Sequence, residues 1–295
     1  MKISKIIIFI LIVVAFWAGI YFKDDAVKFY NSLNKQVQTQ TQNFQKTNVG
    51  QIVAEVKKQV STGIPLNVGG ASNKVVLLQS KIISETNLQR QQNGNLPALR
   101  ENIKLDEAAA AKANDMFVKQ YFEHVSPAGI DPGKLVQSYG YDYIVAGENL
   151  ILGNFSSEKE VVQDWMNSPG HRANILNNRY AEIGVAIIKG IYKGQTVWIG
   201  VQEFGLPLSS CAQPDVNLEN EINSDKTQLD ALSSEIDAKK TQIDNTNQNS
   251  PAYRQMINDY NQLVAQYNSL AETTKNIIAQ YNNQVNIFNN CVAGQ

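Results

Sequence analysis

Histidine is nearly missing from this chain: 295 residues contain two, His124 and His171. Cysteine is equally scarce, with Cys211 and Cys291 alone. No excess charge of either sign is present, since 26 Lys and Arg face 27 Asp and Glu. Each shortage excludes something. Balanced charge leaves no basic field for a nucleic-acid partner. Two cysteines 80 positions apart fit no zinc-finger spacing. No Gly-x-Ser-x-Gly elbow and no HExxH helix occurs, so neither a serine-hydrolase signature nor a zincin signature is written here.

One long apolar run exists, residues 6–22, preceded by Lys2 and Lys5. As helix it would reach about 25 Å, close to the ~30 Å hydrocarbon core. Trp17, Tyr21 and Phe22 crowd its end, and no small-x-small cleavage site follows. The reading is a signal-anchor transmembrane helix over 1–23, with the rest extracytoplasmic in a single-pass cell-membrane protein; the alternative is a secreted chain after cleavage. Residues 24–75, rich in Gln, Thr, Asn and Gly, read as a polar stalk.

Residues 76–208 carry the compact part. Helical spacing appears at Val75–Gln92, at Leu105–Tyr121 and at Ser157–Asn167, where Ser156 or Ser157 can cap the third helix. Ile183–Ile188 and Thr196–Phe204 are strand-like, and the Gly-containing spacer 189–194 suits a hairpin. Helices first and a strand pair last imply an α+β sandwich.

Residues 211–291 differ. Leu218, Ile222, Leu229, Leu232, Ile236 and Ile243 step by threes and fours; after a polar break at 245–251, Tyr253, Tyr260, Tyr267, Ile277, Tyr281 and Phe288 do the same. An antiparallel, coiled-coil-like helical hairpin follows, with Ser250 or Asn249 as cap and Pro251 in the first turn. Asp225, Lys239, Thr274 and Gln284 are polar exceptions on the seam. Closing the hairpin brings its ends together, so Cys211 and Cys291 should form a disulfide in an exported protein. Residues 215–290 could serve as a spacer, a partner arm or a self-association surface.

Both histidines fall in motif-like segments, with Glu148 between them. Two imidazoles and a carboxylate from three loops could hold a divalent metal such as zinc, form an acid–base pair, or bond neighbouring backbone. Ser126 and Ser168 each precede Pro and read as turn residues.

The segments Thr86-Asn-Leu-Gln-Arg90, Tyr121-Phe-Glu-His124, Gly147-Glu-Asn-Leu150, Trp165-Met-Asn-Ser-Pro-Gly-His171-Arg-Ala-Asn-Ile-Leu176, Ile183-Gly-Val185 and Trp198–Phe204 occur in this order. Together they resemble the CAP superfamily, or SCP domain, of cysteine-rich secretory, antigen 5 and pathogenesis-related proteins. The resemblance implies an α-β-α sandwich with a cleft lined by His124, Glu148 and His171. It places Ser168 where fuller members carry a second glutamate. Asp164 and Glu182 are acids nearby without an assigned role.

Three functions follow as expectations. The first is a membrane-anchored module binding a metal through His124 and His171, a lipid or an envelope ligand. The second is a metal-assisted peptidase or esterase with Glu148 as catalytic base. The third is a structural or adhesive surface protein.

Overall fold

A computed structural model of the chain describes residues 56–70 and 74–294. These divide into two compact units: residues 56–213 together with 288–294, and residues 214–287.

The first unit is an α-β-α sandwich. Its elements are β1 (Gln59–Thr62), β2 (Leu66–Gly69), α1 (Gln79–Gln92), β3 (Arg100–Glu101), α2 (Ile103–Lys119), α3 (Pro132–Ser138), β4 (Tyr143–Gly153), α4 (Glu158–Asn167), α5 (Pro169–Ile175), β5 (Glu182–Tyr192) and β6 (Gln195–Pro207). The sheet runs β1-β4-β6-β5-β3, and β2 joins the same β4 strand as β1. β4 pairs antiparallel with β6, and β6 with β5; β1 and β2 lie parallel to β4.

Sequence explains the layers. β4 is buried along all its eleven residues, because helices cover both faces. On one face Ala109, Ala113 and Met116 of α2 meet Leu150, Leu152, Ile199 and Val201. The small alanines let α2 approach closely. On the other, Ile82 and Ile83 of α1, Val161 and Trp165 of α4 and Ile175 of α5 pack with Ile151, Val185 and Phe204. Caps set the helix starts: Asn102 accepts from Lys104 N at 3.0 Å, Asp131 from Lys134 N at 2.8 Å, and Ser157 from Glu160 N at 3.3 Å. Gln120, left-handed at φ 55°, ends α2 and turns the chain toward His124.

The second unit holds α6 (Val216–Asp244) and all but the last turns of α7 (Pro251–Ala293). They are antiparallel: Leu229, Ile236 and Ile243 pack with Tyr260, Val264 and Tyr267, and Ile222 packs with Ile278, Tyr281 and Val285. Ser250 caps α7, accepting from Tyr253 N at 3.2 Å. The polar seam residues are answered across the pair. Thr274 donates to Asp225 at 2.8 Å, Lys239 to Asp259 at 3.3 Å, and Gln284 accepts from Asp215 N at 2.8 Å.

Two expectations change. Among the described residues no helix is long and apolar enough to cross a membrane. The two longest, α6 and α7, bury one stripe each and turn charged and amide side chains outward. Over the described residues the fold class is therefore the sandwich with the helical hairpin and no membrane-spanning helix, and the expected membrane attachment and single-pass localisation are corrected to that extent. The run at residues 6–22 on which they rested lies outside the described residues. Secondly, residues 59–62 and 66–69, inside the span read as a polar stalk, are strands of the sheet. Their side chains are mostly exposed, which is why composition alone resembles a linker.

Cys211 and Cys291 are bonded, across a sequence separation of 80. Closing such a loop is worth about 4 kcal/mol in the chain-entropy model. Replacing both cysteines with alanine should therefore lower stability by roughly 2–4 kcal/mol in urea titration. Iodoacetamide should label the wild type only after reduction; labelling without reductant would show the bond to be absent.

Candidate functional site

β4 carries the centre. Alternation along β4 turns Glu148, Leu150 and Leu152 toward α2, and Asn149 and Ile151 the other way. Glu148 thus sits mid-strand, not on one of three loops as expected. The polar triplet interrupts an otherwise apolar strand because its side chains have work on both faces. Opposite Glu148 in register stands Glu203 of β6. Glu148, Glu203 and His171 all have 0% exposure.

His124 reaches this point from the loop after α2. Its Nδ1 lies 2.5 Å from Glu148 Oε1, and its Nε2 bonds the Gly63 carbonyl between β1 and β2. Both ring nitrogens face acceptors, the pattern of an imidazolium that donates twice. Lys112, from the buried face of α2, donates to the His124 carbonyl at 2.5 Å. Burial lowers the Lys112 pKa, and the carboxylates Glu148 and Glu203 offset part of that.

Glu203 is the group that sequence reasoning passed over. Neither of its oxygens, nor Glu148 Oε2, meets a protein donor. Two carboxylates directly opposite in a sheet would repel strongly. A proton on Glu203, shared with Glu148, removes the conflict. Burial first, and Glu148 second, raise the Glu203 pKa well above the ordinary carboxyl range. The signal was available: Val197, Ile199 and Val201 form the inward face of β6 by alternation, and Glu203 is the next inward position. Lys112 is legible in the same way, as a charge that with Asp106 falls in the buried stripe Leu105, Ala108, Ala109, Ala113, Met116.

His171 arrives from α5 on the other layer. Ser168 ends α4 and precedes α5, and its Oγ lies 2.7 Å from His171 Nδ1. At the position where the resemblance implied a second glutamate, Ser168 holds the ring with a hydroxyl. Burial, then the neighbouring His124, push the His171 pKa down to about 4, with the Leu150 backbone opposing. A buried amide network clamps α5 to β4. Asn149 donates to the His171 carbonyl and to Gln202 Oε1, both at 3.1 Å, while Asn174 donates to Asn149 Oδ1 at 3.0 Å and to the Glu148 carbonyl at 3.2 Å. Gly63 lies between the rings: a Cβ built there would stand 3.0 Å from His171 Cδ2.

The cleft trio therefore converges, but not as a metal site. Among the described residues no group of three or more His, Cys, Asp or Glu could hold an ion. His124 spends both nitrogens on acceptors, and Nδ1 of His171 is turned to Ser168. The expected zinc-type pair His124 and His171 is corrected for that reason. Ser126 is a turn residue as read, accepting from Ile130 N at 3.2 Å. Glu182 is structural: it takes Arg100 and, at 2.9 Å, Asn102.

The titrations act in opposite directions. His171 binds its proton more weakly folded than unfolded, so its contribution is complete above the ordinary value of 6.5 and is lost as pH falls toward about 4. Glu203 binds its proton more tightly when folded. Its contribution is complete below the ordinary 4.5 and is lost as pH rises through the elevated folded value. Glu203→Gln keeps a neutral side chain at every pH. Urea titrations at about pH 5 and pH 8 should show the wild type losing at least ~1 kcal/mol more than the variant over that interval. Equal losses would mean that Glu203 carries no extra proton.

Part of the chain is similar in sequence to known proteins. The family model for the cysteine-rich secretory protein family, CAP, matches residues 83–204. The uncharacterized protein YkwD of Bacillus subtilis (strain 168) is 41% identical over 119 residues, 40% of this chain and 46% of its own length. The uncharacterized membrane protein YlbC of the same organism is 31% identical over 114 residues, 39% of this chain and 32% of its own. The aligned part thus spans less than half of either relative. Among solved structures, an extracellular SCP-domain protein from Bacillus anthracis str. Ames shares 31% identity at a TM-score of 0.37, covering 43% of this chain and 39% of that one. With the ordered motifs, the sandwich and the His124–Glu148 contact in place, residues 83–204 are a CAP/SCP-type domain of the cysteine-rich secretory protein superfamily.

Proposed function

We propose that this chain is an extracellular CAP/SCP-type protein whose cleft is a metal-free acid–base centre acting on peptide-like substrates. The disulfide Cys211–Cys291 supports an oxidising compartment. One observation carries the chemistry: His124 holds Glu148 with one ring nitrogen and a peptide carbonyl, that of Gly63, with the other. An imidazolium in that position stabilises negative charge developing on a carbonyl oxygen. The neighbouring carboxyls divide the remaining work as paired acids do when their environments separate them. Glu148, ionised, takes a proton from the attacking water. The new C–O bond forms at the carbonyl carbon, and the C–N bond breaks as the proton held on Glu203 passes, through Glu148, to the departing amine. Burying this many ionisable groups costs stability, and a merely structural surface protein has no use for them.

A pure binding module is the second reading. It is favoured by the absence of a serine or cysteine nucleophile: Ser168 touches His171, but no carboxylate orients that ring. Turnover separates the two. In an assay on fluorogenic peptides, Glu148→Gln should lower kcat/KM at least about 100-fold. Ser168→Ala should change it less than about fivefold, and a chelator should leave it unaltered. Absence of turnover overturns the acid–base reading in favour of binding alone, and activity retained in Glu148→Gln overturns it by removing Glu148 as the base.

A further inference from the structure

Residues 59–69 occupy the cleft. β1 and β2 both run parallel along one edge of β4, with Thr62 opposite Glu148 and Leu66 opposite Ile151. Between them Gly63 is buried against the centre while Ile64 is exposed. Gly63 gives its carbonyl to His124, and Ser61 gives its carbonyl to Asn174 Nδ2 at 3.3 Å. The four side chains of β1 are exposed; beside the main-chain ladder, Gln59 Oε1 accepts from Arg179 at 3.0 Å. Only at Gly63 is there no room. A Cβ there would meet the His171 backbone N and Cδ2 at 3.0 Å, and a Cβ on Gly170 would meet Gly63 Cα at 3.1 Å. Neither neighbour is the loose end of a flexible side chain. His171 is locked by Ser168 and Asn149, and Gly170 is backbone.

These are the marks of strand addition: backbone bonds supply affinity and one tight position supplies specificity. His124, Asn174, Gly170 and the β4 edge all lie within residues 83–204, the part matched to the family, whereas residues 59–69 lie before it. The domain supplies the whole groove, and an appended segment fills it.

We propose that the β4 edge beside α5 is a binding site for an extended peptide with glycine between the two histidines, and that residues 57–69 are its intramolecular occupant. This rests on the reading of the cleft given above and names its substrate class. With the occupant in place the centre is sealed, so a substrate strand enters only by displacing it. Displacement is inexpensive at this position, because few side chains of the segment are buried.

The test uses the full chain and a fluorescein-labelled peptide copying Lys57–Gly70. Gly63→Val in the chain expels the internal strand through the clash with His171. By anisotropy that variant should bind the peptide at least about tenfold more tightly than the wild type does. A peptide with valine in place of the glycine should bind the variant at least about tenfold more weakly than the copy does. Should Gly63→Val fail to fold, hydrogen exchange on the wild type decides. Excess peptide should speed exchange at residues 59–69 while β5 and β6 stay protected. Equal binding by wild type and folded variant, indifference to valine, or exchange unmoved by peptide overturns the proposal. Binding is read without turnover. Glycine-selective binding with no cleavage therefore leaves this inference standing and removes the hydrolytic reading; cleavage without glycine selectivity does the reverse.

Discussion

Glu148 and Glu203 face each other across β4 and β6, and much of the molecule is arranged around that pairing. Two carboxyl groups at one register position of a buried sheet are tolerable only with a proton between them and cations at their edge. The chain supplies both: His124 lies on Glu148, and Lys112 lies under the His124 loop. The apolar layer Leu150, Leu152, Ile199, Val201 and Met116 continues from the pair and keeps it dry. Low dielectric sharpens the difference between the carboxyls. Burial, and then Glu148 beside it, raise the Glu203 pKa, so that Glu203 holds its proton.

Much of the sandwich was legible because its helices obey a single period. α2 and α4 follow apolar spacing and begin at side-chain caps, and β5 and β6 are two largely buried apolar runs around a Gly-containing turn. What escaped is equally specific. β4 carries Gly-Glu-Asn at its middle, and such a triplet reads as a turn unless the paired polar groups on both faces are known. β1 and β2 have exposed side chains, so hydropathy gives them no period; their place is set by backbone bonds to β4. His124, Glu148 and His171 are legible by residue type, but the direction of their ring nitrogens and oxygens is not. A ligand set depends on where lone pairs point, and direction is not encoded in spacing. His124 has none left to offer a cation.

The hairpin teaches the complementary lesson. Asp225, Lys239, Thr274 and Gln284 looked like defects in a heptad seam. Each is answered across the pair by Thr274, Asp259, Asp225 and Asp215 respectively. A seam of Leu, Ile and Tyr alone tolerates sliding by one heptad with little change in packing. Pairing a buried carboxylate with one hydroxyl fixes a single register, at some cost in stability. Apolar periodicity therefore predicts that two helices associate, while the exceptions to it determine how they align.

The occupied cleft and the acid pair belong to one argument. A proton stays on Glu203 only while water is kept away, and Gly63 helps to close the approach to Glu148. An open groove would remove the burial that holds the proton on Glu203. An entering strand that repeats the backbone of β1 would close the groove again without passing through a lasting wet state. Its carbonyl would take the place of Gly63 on His124, with the charge distribution already set. Glycine is then required for a steric reason, contact with His171 and Gly170, and for an electrostatic one. A larger residue would hold the strand off the edge and admit the water that the centre is built to exclude.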